Sequence, residues 1–435
     1  EHVSKEGHSL VIVDNNREKV EELIERYDVM GVVGNGASLD IQEEAGVKSA
    51  DLVIAVTPED EINILASMVA KKLGASSTIA RVRNPEYLRQ TKLMQEELGL
   101  SMVVNPEQET ADEIINMVNL PSLLKLEPFA KGKVNLVEIL VEENNPLIGE
   151  TLITMSKKIK TKVLICAIQR ASHVIIPNGN FKIEQGDRLS ITANASSLVT
   201  FLKELNLIKS PLKNIMIIGG GKISYYLAKE LSNKKYHIKL IEMNKNRAEE
   251  MAEALPKVDV ICGDGTDHDL LIEEGIEASD ACIALTNVDE ENIIVSMYAT
   301  RLKIKKVIAK IKRNSFLTMV NDLGIASIVS PKDIVASKII SYIRALSNKR
   351  GSNVLTLYKL VNNQVEALEF DAKKKKKFYN KPLKDLNIKE NCLIACIIRD
   401  GNVLIPSGND CIQLNDRVLV VTTHQQFDDL MDAFE

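Results

Sequence analysis

Gly219 and Gly221, in the stretch "IIGGGKIS", occupy the first two positions of a G-x-G-x-x-G pattern between an apolar run and a helical one. The first glycine allows a tight strand-to-helix turn, and the second lets the backbone approach a pyrophosphate at the helix N-terminus. Ser224 stands at the third position, where a small residue sets close helix–strand packing, so the helix is expected slightly further from the strand. Glu242 ends the next apolar run, 21 residues after Gly221, where a carboxylate accepts bonds from ribose hydroxyls. An acid there disfavours a 2′-phosphate, which favours NAD(H) or an adenine nucleotide over NADP(H).

More groups fall into register with these. "GNG" at 34–36 and "GDG" at 263–265 place Asn35 and Asp264 after a third apolar run. Either would bond a purine amine at an adenine edge, or simply close its own turn. Thr57 and Thr286 follow a fourth run, at the rim where open α/β sheets bind ligands, and read as phosphate or ribose contacts or as helix caps. "IARVR" puts Arg81 and Arg83 where "IAKIK" puts Lys310 and Lys312. Period-two spacing sets each pair on one face, and arginine's fork grips phosphate oxygens where lysine offers a point charge. A solvated edge is the alternative for both pairs. "TDHD" at 266–269 reads as a helix N-cap with acidic first-turn residues rather than a metal cluster.

The elements that position these groups are written twice. "GNGASLDIQEEAGVKSADLVIAVTPEDEINIL" from Gly34 and "GDGTDHDLLIEEGIEASDACIALTNVDEENII" from Gly263 match without gaps at an offset of 229, with 13 of 32 positions identical. The offset returns when "VIIPNGNFKIEQGDRLSI" from Val174 is set on "VLIPSGNDCIQLNDRVLV" from Val403. The early part of each unit alternates β-branched runs with helical stretches. In the second unit the strands are predicted near 215–218, 238–242, 259–262, 281–284 and 307–309, which specifies a parallel sheet covered on both faces. The late part, about 133–208 and 353–435, reads as a small α+β module closed by one amphipathic helix, "SSLVTFLKEL" or "QQFDDLMDAF". The fold class is therefore α/β, with two Rossmann-like doubly wound domains, each followed by a small α+β domain. Asp14 ends the run matching Glu242 and is the acid of the first copy. Residues 213–228 have no first-copy counterpart and no Met opens the chain, so an N-terminal truncation removing a first glycine turn is expected.

Bulk properties narrow the function classes. A net charge of −5 and a pI near 5.9 give no footprint for nucleic acid. The basic run Lys373–Lys377 reads as a solvated loop or strand edge, with a membrane-surface or anionic-ligand patch as the alternative. No apolar segment approaches the ~20 residues that span a bilayer, and no signal peptide is visible. Six cysteines, 166, 262, 282, 392, 396 and 411, form no C-x-x-C pair and read as reduced core thiols of a cytosolic protein. There is no P-loop, nucleophile elbow or histidine placed as a general acid. The small modules are too short for a conventional substrate domain, which argues for nucleotide sensing; an NAD-dependent oxidoreductase with an unrecognised substrate site is the alternative.

The arrangement resembles the TrkA family, the tandem RCK (KTN) regulatory subunits of Trk-type potassium uptake systems. "IIGGGKISYYLA", "LIEMNKNRAEEMAE", "GDGTDHDLLIEEGI" with its twin, and "PNGN…GDRLSI" with its twin carry the likeness across essentially the whole chain. The resemblance implies RCK N-terminal domains at 1–125 and 212–346 and RCK C-terminal domains at 126–208 and 351–435. It implies a non-enzymatic, cytoplasmic protein that binds NAD(H) and ATP or ADP. Such a protein would form a homo-tetrameric ring on the inner face of the cell membrane, under a membrane-embedded Trk-type potassium channel subunit. Carried over by position, Gly219, Gly220, Gly221, Lys222, Ile223 and Glu242 form one nucleotide site. Asp14, Val56, Thr57 and Arg81 belong to the other, with Arg83 at phosphate or at a subunit interface. Related C-terminal domains bind cyclic dinucleotides, and neither "VIIPNGN" nor "VLIPSGN" decides whether these do.

Overall fold

The computed structural model describes residues 2–5, 8–119, 123–129, 134–171, 173–207, 212–234, 236–313, 315–316, 320, 325, 327–348, 354–360, 364–373, 376–424, 427 and 429–435. They fall into two units, Glu1–Glu109 with Pro331–Ala336, and Thr110–Ser330 with Ser337–Glu435. In the first unit, β1 (Val11–Asp14) and β2 (Met30–Val33) form a parallel pair. β3 (Leu52–Ala55), β4 (Ser77–Arg81) and β5 (Met102–Val104) form a separate parallel sheet. In the second copy the strand built from 214–218 joins the two corresponding halves, and the first copy has no strand in that position among the described residues.

The second unit opens with β6 (Leu123–Phe129), β7 (Val134–Leu140), β8 (Leu164–Arg170), β9 (His173–Ile175) and β10 (Arg188–Ala193). There follow β11 (Asn214–Ile218), β12 (His237–Glu242), β13 (Asp259–Cys262), β14 (Ala281–Ala284), β15 (Lys306–Lys310) and β16 (Ser327–Val329). These six make one wholly parallel sheet in the order β13-β12-β11-β14-β15-β16. That is the doubly wound order, with its switch point between β11 and β14. The five sequence-predicted strands are all present; β16 escaped notice because three residues carry no readable period. Ile215–Ile218 are buried on both faces, as a central parallel strand must be. The helix Lys222–Ser232 lays Ile223, Leu227, Ala228 and Leu231 onto this sheet at helical spacing. The helix Pro106–Asn119 adds Ile114, Ile115 and Val118 to the same core.

The small modules are the same fold built twice. β6-β7-β10-β8-β9 is matched by β17 (Val354–Leu360), β18 (Val365–Asp371), β19 (Cys392–Arg399), β20 (Asn402–Leu404) and β21 (Arg417–Thr422) in the order β17-β18-β21-β19-β20. Every pairing in both sheets is antiparallel. Leu136 and Cys166 of one module share a core with Ala367, Cys396 and Val421 of the other. The repeated "GDR" and "NDR" explain their own recurrence. Asp187 takes two bonds of 2.8 Å from Arg170, and Asp416 takes bonds of 2.9 and 2.8 Å from Arg399. Each arginine also donates to a carbonyl of the loop before its aspartate, Lys182 or Cys411. Hydrogen bonds to the buried aspartate raise each arginine's pKa. Asp416→Ala is expected to destabilise the protein by about 1.5–3 kcal/mol, the scale of charged hydrogen bonds lost from a buried acceptor. The midpoint of urea unfolding at constant m-value checks it.

Two expectations are corrected. "SSLVTFLKEL" forms the helix Ala195–Glu204, whereas the described residues of its twin form a 3₁₀ turn, Leu430–Ala433. Asp429 and Asp432 close a capping box there, giving the backbone a local alternative to a long helix; residues 425, 426 and 428 of that segment lie outside those described. Of the six cysteines, all free, four are buried, Cys411 is half-buried and Cys262 is exposed. Burial pushes the Cys166, Cys282, Cys392 and Cys396 thiols up to about 12, so these four are inert. Cys262 ends β13 at the open rim of the sheet and so is not a core thiol.

Candidate nucleotide-binding sites

At the second-copy switch point Gly219 has φ +98°, and an added Cβ would lie 3.0 Å from the Thr286 nitrogen and 3.1 Å from the Leu285 carbonyl carbon. The turn is thus pressed against the loop that follows β14, and only glycine fits. Gly221 caps the helix Lys222–Ser232, and a Cβ there would meet nothing within 4 Å. That open approach to a helix N-terminus suits an anionic ligand. Ser224 is fully buried, and its hydroxyl donates to the Gly219 carbonyl. The serine therefore ties the turn together instead of holding the helix away. Ile223 is buried below the turn and Lys222 is exposed beside it.

Glu242 sits where the pattern placed it, with an added finding. Its Oε2 accepts the Gly220 N–H at 2.5 Å and its Oε1 accepts the Asn244 N–H at 2.8 Å. The carboxylate clamps the glycine turn and keeps further lone pairs for a ribose hydroxyl. Asp14 makes the second of these bonds, from the Asn16 N–H at 2.9 Å. Asn16 and Asn244 then cap the helices Arg17–Arg26 and Lys245–Ala254. Asn35 and Asp264 are occupied in their own turns: Oδ1 accepts from Ala37 N–H in the first, and from the Thr266 N–H and hydroxyl in the second. Those bonds hold the Asp264 carboxyl below its usual range. The turn-closing role is therefore the one the geometry displays.

Thr57 and Thr286 are not helix caps; Glu59 and Val288 take those positions. Each threonine instead meets a wholly buried asparagine that residue patterns did not single out. Asn63 accepts the Thr57 N–H at 2.7 Å and donates to the carbonyls of Thr57 and Arg81, both at 2.9 Å. Asn292 repeats this with Thr286 and Lys310. Asp60 accepts from the backbone N–H groups of Arg83 and Asn84, and Asp289 from those of Lys312 and Arg313. All four residues are identical between copies at offset 229, a signal that was present but carried no recognised chemistry. The result is a rigid rim, with the loop after the fourth strand tied to the end of the fifth. Val56, 51% exposed, stands on that loop in the first copy.

The basic pairs differ between copies. The Arg81 guanidinium donates to the Thr57 carbonyl, and its Nε is buried with no hydrogen-bond partner. Burial and the neighbouring Arg83 lower its pKa. Arg83 is ion-paired to Glu107. In the second copy Lys310 Nζ donates to the Leu285 carbonyl and Lys312 Nζ to that of Asn287, both at 2.9 Å. The lysines therefore lie on one side of the strand end, as the period-two spacing requires. An orphaned guanidinium nitrogen and an open glycine cradle both fit phosphate oxygens. Among the described residues no His, Cys, Asp and Glu group is arranged to hold a metal, and no helix is long and apolar enough to cross a membrane.

A parallel sheet in doubly wound order, a glycine turn at its switch point and an acid on the next strand define a dinucleotide-binding type of Rossmann domain, here in tandem with small α+β modules. The TrkA-N domain model matches residues 1–106 and 215–331, and the TrkA-C domain model matches 136–206 and 367–435. The chain belongs to the TrkA family. It is 32% identical over 433 residues to the Trk system potassium uptake protein TrkA of Vibrio alginolyticus, spanning 98% of this chain and 93% of that one. The GsuK channel bound to NAD superposes with a TM-score of 0.62 at 18% identity, covering 97% of this chain and 73% of the other. GsuK bound to ADP gives 0.50 at 16%, covering 80% and 65%. At such identities the likeness to GsuK is one of fold.

Proposed function

We propose that this chain is the regulatory subunit of a Trk-type potassium uptake system, holding NAD(H) and ATP or ADP in its Rossmann clefts. It assembles as a homo-tetrameric ring on the cytoplasmic face of the membrane, docked on a membrane-embedded potassium channel subunit, and performs no chemistry on the nucleotide. The division into domains at 1–125, 126–208, 212–346 and 351–435 belongs to this reading. Its principal support is the pairing of an open glycine cradle, Gly219–Ile223 with Glu242, with the family membership of nearly the whole chain. Asp14, Val56, Thr57 and Arg81, with Arg83 beside them, form the first-copy site; Asn35, Asp264 and Thr286 shape the loops around the two clefts.

Regulation follows from differential affinity. A nucleotide shifts the ring between two states only as far as it binds them unequally. ATP brings one more phosphate than ADP, and the hydrogen bond missing at Arg81 Nε supports reading this arginine as the group that distinguishes them. Arg81→Ala is expected to lower ATP affinity about 10–100-fold, the loss of a charged hydrogen bond worth ~1.5–3 kcal/mol, and to flatten the ATP dependence of potassium flux. Calorimetric titration and flux in vesicles carrying the channel subunit measure both. Unchanged affinity and flux would remove Arg81 from the site.

A further inference from the structure

Gly220 is gripped at both ends. Its N–H is held by the Glu242 carboxylate at 2.5 Å, and its carbonyl accepts from Arg247 Nε at 2.8 Å. Arg247 lies in the first turn of the helix Lys245–Ala254, and its Nη1 is moored to Glu250 at 2.9 Å. A carboxylate and a guanidinium thus straddle a single residue of the glycine turn. Arg247 is about one-third exposed, so part of its fork faces solvent there. In the first copy the equivalent position, three residues beyond the capping Asn16, is Lys19.

We propose that Arg247 is a ligand-contacting residue that, opposed by Glu242, sets how the second-copy site treats the 2′ position of an adenosine ribose. This rests on the reading of that cleft as a nucleotide site. The carboxylate repels a 2′-phosphate and accepts from a 2′-hydroxyl, whereas a guanidinium in the same place pairs with a 2′-phosphate. With both present, the carboxylate decides, because it ends the strand on which the ribose is seated while the arginine reaches in from the following helix. Neutralising Glu242 leaves the arginine to act alone. The site is therefore one substitution from accepting a phosphorylated ribose, and Arg247 is the group that makes it so.

The test titrates the full chain with NADH and NADPH by calorimetry. The wild type is expected to favour NADH at least 10-fold. Glu242→Gln, near-isosteric and still able to accept the Gly220 N–H, is expected to bring the two ligands within about 3-fold, mainly by tighter NADPH binding. Adding Arg247→Met to it should weaken NADPH at least 10-fold more than NADH, whereas Arg247→Lys should weaken it less. A purely structural arginine would weaken both ligands equally, and that result would overturn the proposal. If Glu242→Gln does not fold, Arg247→Met alone decides through the same ratio measured against wild type. Binding of neither NADH nor NADPH by the folded wild type would instead overturn the underlying assignment of the cleft to a nicotinamide dinucleotide.

Discussion

Gly219→Ala is expected to abolish nucleotide binding in the second Rossmann domain and to cost about 1–3 kcal/mol of stability, the range for a residue forced into an unfavourable backbone region. Two effects act together. The native φ of +98° is one that an L side chain rarely adopts, and the new methyl would meet the backbone of Leu285 and Thr286 at about 3 Å. Backbone at both contacts leaves no flexible side chain to move aside, so relief requires the turn to lift off the β14 loop. Lifting it moves the Gly220 and Gly221 peptides from the seat defined by Glu242 and Ser224. Gly221→Ala is the informative partner. Its Cβ would meet nothing within the protein, so stability should be nearly unchanged while any ligand lying against the turn is displaced. Loss of binding with an unchanged melting temperature in Gly221→Ala, and loss of both in Gly219→Ala, separates ligand approach from backbone strain.

Asn292→Ala is expected to be the most destabilising substitution in the second rim, at about 2–3 kcal/mol. It strands the Thr286 N–H and the carbonyls of Thr286 and Lys310, and an unsatisfied buried polar group costs about 1–3 kcal/mol. Partial rehydration of the cavity keeps the total below the sum. Asn292→Asp retains the acceptor for Thr286 N–H but turns a carboxylate toward two carbonyl oxygens, so it should be no milder. Asn63→Ala should show a similar loss in the first copy, because its three bonds are the same. Chemical denaturation of the three variants, read as midpoint at fixed m-value, measures the effect. Hydrogen exchange at Thr286 and Thr57 should rise in the matching variant alone.

These residues also mark where the sequence was legible. Period and repeat located five of the six parallel strands of the second copy to within a residue, since fully buried β-branched runs have few alternative structures. Gly219, Gly221 and Glu242 were readable because each has a chemical reason to stand at its spacing. Asn63, Asn292, Asp60 and Asp289 were not, although they recur at the same offset. A buried amide that bonds backbone groups of two other segments has meaning only once those segments are assembled. Arg247 was hidden in a charged helix whose neighbours are solvent-facing pairs such as Lys245 with Glu249. Ser224 was read as a looser glycine because its hydroxyl partner, a carbonyl of the turn itself, is not visible in a pattern of side chains. The C-terminal half of the second terminal helix departed for the opposite reason: its apolar period was clear, but Asp429 and Asp432 offered the backbone a local capping arrangement.

The central claim is that the chain senses nucleotide without transforming it. Calorimetric titration of the full chain with NADH, ATP and ADP, followed by the absorbance of the recovered NADH, tests it most directly. A sensor gives saturable heats for a nicotinamide or adenine nucleotide, weakened by Gly221→Ala or Arg81→Ala, and returns the NADH unoxidised. No saturable binding of any of the three, or oxidation of NADH by the protein, would contradict it.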